Sequence, residues 1–290
     1  MPAWAMGIAA SPRNLEMMTM TIRIWMGCMA LILWPLWASA GNLNWRGEWT
    51  QGGLIVGQAP PGTRLELDGQ PVPVTPEGVF VFGFHRDAPP QVQLRAIFPD
   101  GRQETRPFAI AQREYQIQRL NGLPPSKVTP PPAVLERIRR ENARVDAVRQ
   151  QEIPTPYFLS GFAWPTTGRI SGVYGSQRIL NGQPRQPHYG VDIAAPVGTP
   201  VRAPADGIVT LAEPDLYYSG ATLIIDHGYR VSSSFLHLNQ ISAHVGQKVR
   251  KGEVVATVGK SGRVTGPHLD WRMNWREARI DPTLLVPPMR

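Results

Sequence analysis

The sequence predicts a mainly β protein: a small β-sandwich-like domain, a short helical linker and a second β domain. Three observations point that way. Thirty prolines and 28 glycines in 290 residues punctuate the chain too often for long helices. Short runs rich in Val, Ile, Leu and Phe recur between turn signals. Helical spacing of apolar residues is read over 133–151, in a segment dense with charge.

The elements follow in order. Arg23 precedes an apolar run, 24–36, and then the small residues Ala38-Ser39-Ala40. This reads as an export signal over 1–40, cleaved after Ala40, with a retained anchor as the alternative. Met17, Met18 and Met20 are alternative starts of translation. The one cysteine, Cys28, lies inside the apolar run, so there is no intrachain disulfide. Residues 42–120 read as the sandwich-like domain. Strands are expected at 53–56, 64–67, 78–84 and 91–97, with a hairpin turn at Asp68-Gly69. Residues 91–97 alternate polar and apolar, as a half-buried strand does. A Pro-rich linker and a charged helix occupy 121–156, and Pro154 and Pro156 stop the helix. We read its arginines as a solvated face rather than a polymer-binding one. From 157 to 290 short strands recur, at 201–210, 222–228, 231–237 and 253–259.

The net charge of +8 and a pI near 10.0 favour an anionic neighbour. Anionic lipid and anionic cell-wall polymer both fit. Nucleic acid fits the charge too but ranks below them, because no basic block is interleaved with aromatics. There is no Gly-x-Ser-x-Gly elbow and no phosphate loop. A carrier-like rhythm over 246–259 lacks a lysine in an attachment context.

The chemistry concentrates in the second domain. His188 and Asp192 stand four apart around Gly190. Imidazole and carboxylate are both good metal donors. His268 and Asp270 are two apart, so on a strand they share a face while Leu269 takes the other. His237 alternates with apolar neighbours and can face the same cleft from another strand. Each histidine alone reads as a buried packing residue; together in one β domain they read as a site. Asp206, Asp226 and His227 sit at turns after strands and are given turn roles, while His85 and His244 are given none.

Residues 160–286 resemble the lysostaphin/LytM-type zinc endopeptidases that cut peptidoglycan peptides. The resemblance is carried by Arg169-Ile170-Ser171-Gly172-Val173-Tyr174-Gly175, by His188-Tyr189-Gly190-Val191-Asp192, by Ser234-Phe235-Leu236-His237-Leu238, by Val245-Gly246-Gln247 and by Gly266-Pro267-His268-Leu269-Asp270. It implies an antiparallel β fold with one zinc ion in an open groove. It implies His188 and Asp192 as ligands, and His237 and His268 as the histidines that handle the proton and the oxyanion, in either order. The third ligand falls at Asp270, where the family usually carries a second His, and Phe235 replaces a common tyrosine. Carboxylate binds zinc at much the same distance as imidazole. Manganese, or loss of metal, are the other outcomes of that change. Arg178 is a candidate clamp for a substrate carboxylate, with a structural ion pair as the alternative. The expectation is an exported, periplasmic hydrolase of peptidoglycan cross-links, with peptidoglycan peptides and other envelope proteins as partners. A catalytically degenerate domain that binds the wall or regulates another hydrolase is the alternative.

Overall fold

The computed structural model describes residues 38–40, 43–121 and 132–289. The expected signal up to residue 37 and most of the Pro-rich linker lie outside the described residues. The first half forms two four-stranded antiparallel sheets. One contains Ala38–Ala40, Leu43–Arg46, Leu54–Gln58 and Val79–Gly83; the other contains Gln70–Val72, Arg64–Leu67, Gln91–Ile97 and Gln103–Ala109. Between Arg64–Leu67 and Gln70–Val72 the turn residues Asp68 and Gly69 have φ of 47° and 75°. Both values are those of a tight hairpin, which explains the Asp-Gly signal. In Gln91–Ile97 the side chains of Val92, Leu94 and Ala96 are buried, and Gln91 and Gln93 are exposed. Trp45 of the first sheet meets Phe108 of the second edge-on, with centroids 5.4 Å apart. Trp49 stacks on Phe108 at 4.1 Å. These aromatic contacts close the sandwich around Ile55, Leu65, Phe80 and Phe82.

The second half is built on one ten-stranded sheet. Its central order is Arg169–Gly172, Gly190–Ala194, His268–Trp275, Val231–Ile241, Gly220–Asp226 and Gly207–Leu216, all antiparallel. Gly220–Asp226 is buried along its whole length. That is why it reads as a continuous apolar run rather than an alternating one. On His268–Trp275, Leu269, Trp271 and Met273 are fully buried on the core face. His268, Asp270, Arg272 and Asn274 therefore share the opposite face.

The two halves are stitched together. Ile117–Leu120 pairs in parallel with Gln177–Leu180. Arg113 bridges to the buried carboxylate of Asp281 at 2.8 Å, and Arg86 Nε donates to the Gly175 carbonyl at 2.9 Å. The helix Pro132–Arg149 keeps a solvated face, with Arg139 and Arg140 exposed, but its other side is engaged. It docks on Gly207–Leu216: Arg137 pairs with Asp215 at 3.0 Å and Arg144 with Glu213 at 2.9 Å. Buried Glu141 accepts from the Tyr217 amide, and Arg149 donates to Ser234 Oγ. Its arginines are partly consumed by these contacts. Sequence periodicity shows an apolar face but not which acidic strand it will meet. Among the described residues no helix is long and apolar enough to cross a membrane.

Candidate metal centre and catalytic histidines

Strand register assembles the site. Gly190–Ala194 and His268–Trp275 are antiparallel neighbours, and Asp192 lies directly across from Asp270. Opposed residues in such a pair have side chains on one face. His188, just before Gly190–Ala194, is fixed by backbone bonds: its amide donates to Ser176 and its carbonyl accepts from Gly175. One donor atom each from His188, Asp192 and Asp270 then lies within 4.8 Å of the others. His188 Nε2 faces Asp192 Oδ1 at 3.2 Å. Both atoms are buried and neither has a hydrogen-bond partner. Two orphaned, opposed donors are what a divalent cation needs, so the residues present fit a metal. Burial by itself lowers the basicity of His188. Asp192 and Asp270 outweigh that effect and raise its pKa above the ordinary histidine value.

Asp270 is almost fully buried. Burial opposes its ionisation, but the Arg272 guanidinium overrides burial and holds the carboxyl below the usual range. Arg272 Nε donates to Oδ1 at 3.0 Å and to Oδ2 at 3.1 Å, and Nη2 donates to Oδ2 at 2.6 Å.

Two histidines flank the trio, with ring centroids 5.0 Å apart. His237 Nδ1 lies 2.9 Å from the Ser261 carbonyl, and His268 Nδ1 lies 2.9 Å from the Gly266 carbonyl. A carbonyl only accepts, so each Nδ1 carries the proton and each Nε2 is left with a lone pair. His268 Nε2 is 3.7 Å from Asp192 Oδ1. Burial lowers the pKa of His237, keeping that imidazole neutral. Its backbone φ is +64°, a left-handed value that a non-glycine residue adopts only at a cost.

The other expected residues fall as follows. Arg178 is exposed on Gln177–Leu180 and donates to Gln118 at 3.2 Å, apart from the trio in the hydrogen-bond network. His227 is buried with Asp226; Asp226 Oδ1 accepts from the Gly228 amide and closes the turn. His244 is exposed, and His85 sits edge-on to Tyr189 at 5.4 Å. Sequence reasoning assigned no role to Arg272, Gly172 or Ser261. Arg272 had a signal: it stands two residues after Asp270, hence on the same strand face. Gly172 had none. A Cβ there would sit on Asp192 Oδ2, so only glycine leaves that carboxylate its place.

Residues 186–282 match the model of peptidase family M23. A solved Pseudomonas aeruginosa protein classed with peptidase M23 is 30% identical, covering 82% of this chain and 95% of its own, with a TM-score of 0.63. The chain belongs to peptidase family M23. Among M23 relatives, the peptidoglycan DD-endopeptidase ShyA of Vibrio cholerae is 39% identical over 36% of this chain and 24% of its own length. The DD-carboxypeptidase/endopeptidase Mpg of Neisseria meningitidis is 41% identical over 35% of this chain and 23% of its own. The chain thus spans about a quarter of the length of these relatives. The M23 match covers the trio and both histidines; the sandwich domain lies outside it.

Proposed function

We propose that this chain is a zinc-dependent endopeptidase of the bacterial envelope that hydrolyses peptide cross-links of peptidoglycan. One observation carries the reading: three donor atoms converge within 4.8 Å, beside two histidines whose Nε2 atoms are left free by backbone acceptors. A zinc ion held by His188, Asp192 and Asp270 would act as a Lewis acid toward the scissile carbonyl. His237, neutral and fixed by Ser261, takes a proton from the attacking water at Nε2 and returns it to the leaving amine nitrogen as the C–N bond breaks. His268 turns its Nε2 toward Asp192 and is the second group placed to handle the proton or the oxyanion. The basic charge of the chain suits an anionic wall polymer. The relatives named for peptidoglycan hydrolysis support the substrate class, and the leader-like sequence supports export to the periplasm. Arg178 remains a candidate for holding a substrate carboxylate.

A second reading has its own observation. Asp270 is already bonded to a guanidinium, and a domain whose third donor is taken would bind the wall without cutting it. Purified sacculi incubated with the protein separate the two. The first reading expects bound zinc and cross-link-cleaved muropeptides, both lost in His188→Ala. Wall binding with neither zinc nor cleavage in the folded wild type would establish the second.

A further inference from the structure

We infer that Arg272 belongs to the metal centre: with Asp270 it forms one charge-compensated donor that takes the place of a neutral one. The inference rests on the metal-dependent reading above and concerns how a carboxylate is made workable in that position.

Two carboxylates, Asp192 and Asp270, face each other across adjacent strands, and Asp270 is nearly inaccessible to water. Unrelieved, two like charges so placed repel each other. Arg272 relieves it with three contacts of 2.6 to 3.1 Å. A carboxylate offers about four lone-pair positions, so these contacts leave it capacity for a metal. Oδ1 receives only the 3.0 Å bond from Nε, while Oδ2 receives two bonds. Counting the three donors, with His188 deprotonated as a ligand, and the one guanidinium bonded to them, the set carries a single net negative charge. One carboxylate with two neutral imidazoles would leave the same charge. A divalent ion therefore meets the same formal electrostatics in both donor sets.

A second observation shows that the fold makes room for the pair. Gly190 lies directly across from Arg272. A Cβ at Gly190 would come within 2.6 Å of both Arg272 Cγ and Asp270 Oδ1. The space a side chain would fill is occupied by the ion pair itself. Ser234 opposes Arg272 from the other side, so the guanidinium stem is bracketed by a glycine and a serine.

The two members should then be exchangeable only together. Zinc affinity is measured on the full chain by competition with a chromophoric chelator, for wild type, Asp270→His and Asp270→His/Arg272→Gln. Thermal unfolding in the presence of a chelator confirms that each is folded. Asp270→His leaves an unpaired guanidinium against the cation, and its affinity should fall at least ~10-fold. The double variant removes that guanidinium and should return to within about threefold of wild type, the mark of coupled positions. Wild-type affinity in Asp270→His, or no recovery in the double variant, would overturn the inference while leaving a zinc enzyme. A wild-type chain that binds no zinc would overturn the proposed function, and this inference with it.

Discussion

At the scale of single residues, burial decides which ionisable groups serve chemistry and which serve the fold. His227 is fully buried, with Nδ1 2.7 Å from the Asp206 carbonyl and Nε2 2.6 Å from Ser233 Oγ. Both ring nitrogens are used, so it is a structural histidine. Burial pushes its pKa down to about 4, against an ordinary value of 6.5. Between those values the unfolded chain binds a proton that the folded chain refuses, so His227 costs stability as the pH falls. Its neighbour Asp226 acts with the opposite sign. Burial lifts its pKa to about 6 from an ordinary 3.8, so the folded state takes up a proton first and gains stability over the same range. Asp226→Asn removes that gain. Between pH 7.5 and pH 5 the variant should lose about 1 kcal/mol more than wild type, read from denaturant unfolding at the two pH values. Equal pH dependence in the two proteins would count against a buried, ionisable Asp226. The turn position of Asp226-His227 is legible in the sequence. Their opposed titrations are not, because desolvation depends on what the rest of the chain lays over them.

At the scale of elements, the strand pair Gly190–Ala194 and His268–Trp275 is what makes the site. The period of two places His268, Asp270 and Arg272 on one face from sequence alone. Register decides the rest: a slip of one residue would turn Asp192 away from Asp270 and point Val191 at it. Glycines pin that register. Gly190→Ala drives a methyl group into Arg272 Cγ, Asp270 Oδ1 and the Trp271 carbonyl, all at 2.6 Å. Such overpacking costs about 1–3 kcal/mol. The variant should melt lower and bind zinc more weakly, both readable by calorimetry with and without metal. A stable variant with unchanged zinc affinity would mean that the ion pair has slack. The Asp68-Gly69 hairpin and the alternating strand Gln91–Ile97 were legible because turn chemistry and burial pattern are local. The left-handed backbone of His237 was not, since it arises where the pairing of Val231–Ile241 shifts register near that residue.

At the scale of the whole molecule, the sandwich domain and the M23 domain share more than a tether. A parallel strand pair, the Arg86 contact to Gly175 and the Arg113–Asp281 bridge join them. Gly175 leads into the backbone that fixes His188, so the first domain buttresses a proposed ligand through two short links. Asp281 also caps the turn Pro282–Leu285 by accepting from the Thr283 amide and hydroxyl. Arg113→Ala leaves that buried carboxylate without its counter-charge. Because the Thr283 bonds remain, the loss should be at the low end for a broken buried pair, about 3 kcal/mol. Urea unfolding followed by tryptophan fluorescence measures it. No loss would show that Thr283 alone satisfies Asp281.

What the sequence determined by itself is the local and the chemical: the mainly β class, the hairpin turns, the family resemblance and the residues proposed for the site. These depend on spacing, turn chemistry and side-chain type, which a chain carries before it folds. The tertiary structure decided that Asp270 is never alone. Only cross-strand register, the glycine opposite and exclusion of water bring a guanidinium onto that carboxylate. Asp270 and Arg272 therefore act as one unit, because a buried charge needs its partner within hydrogen-bonding distance.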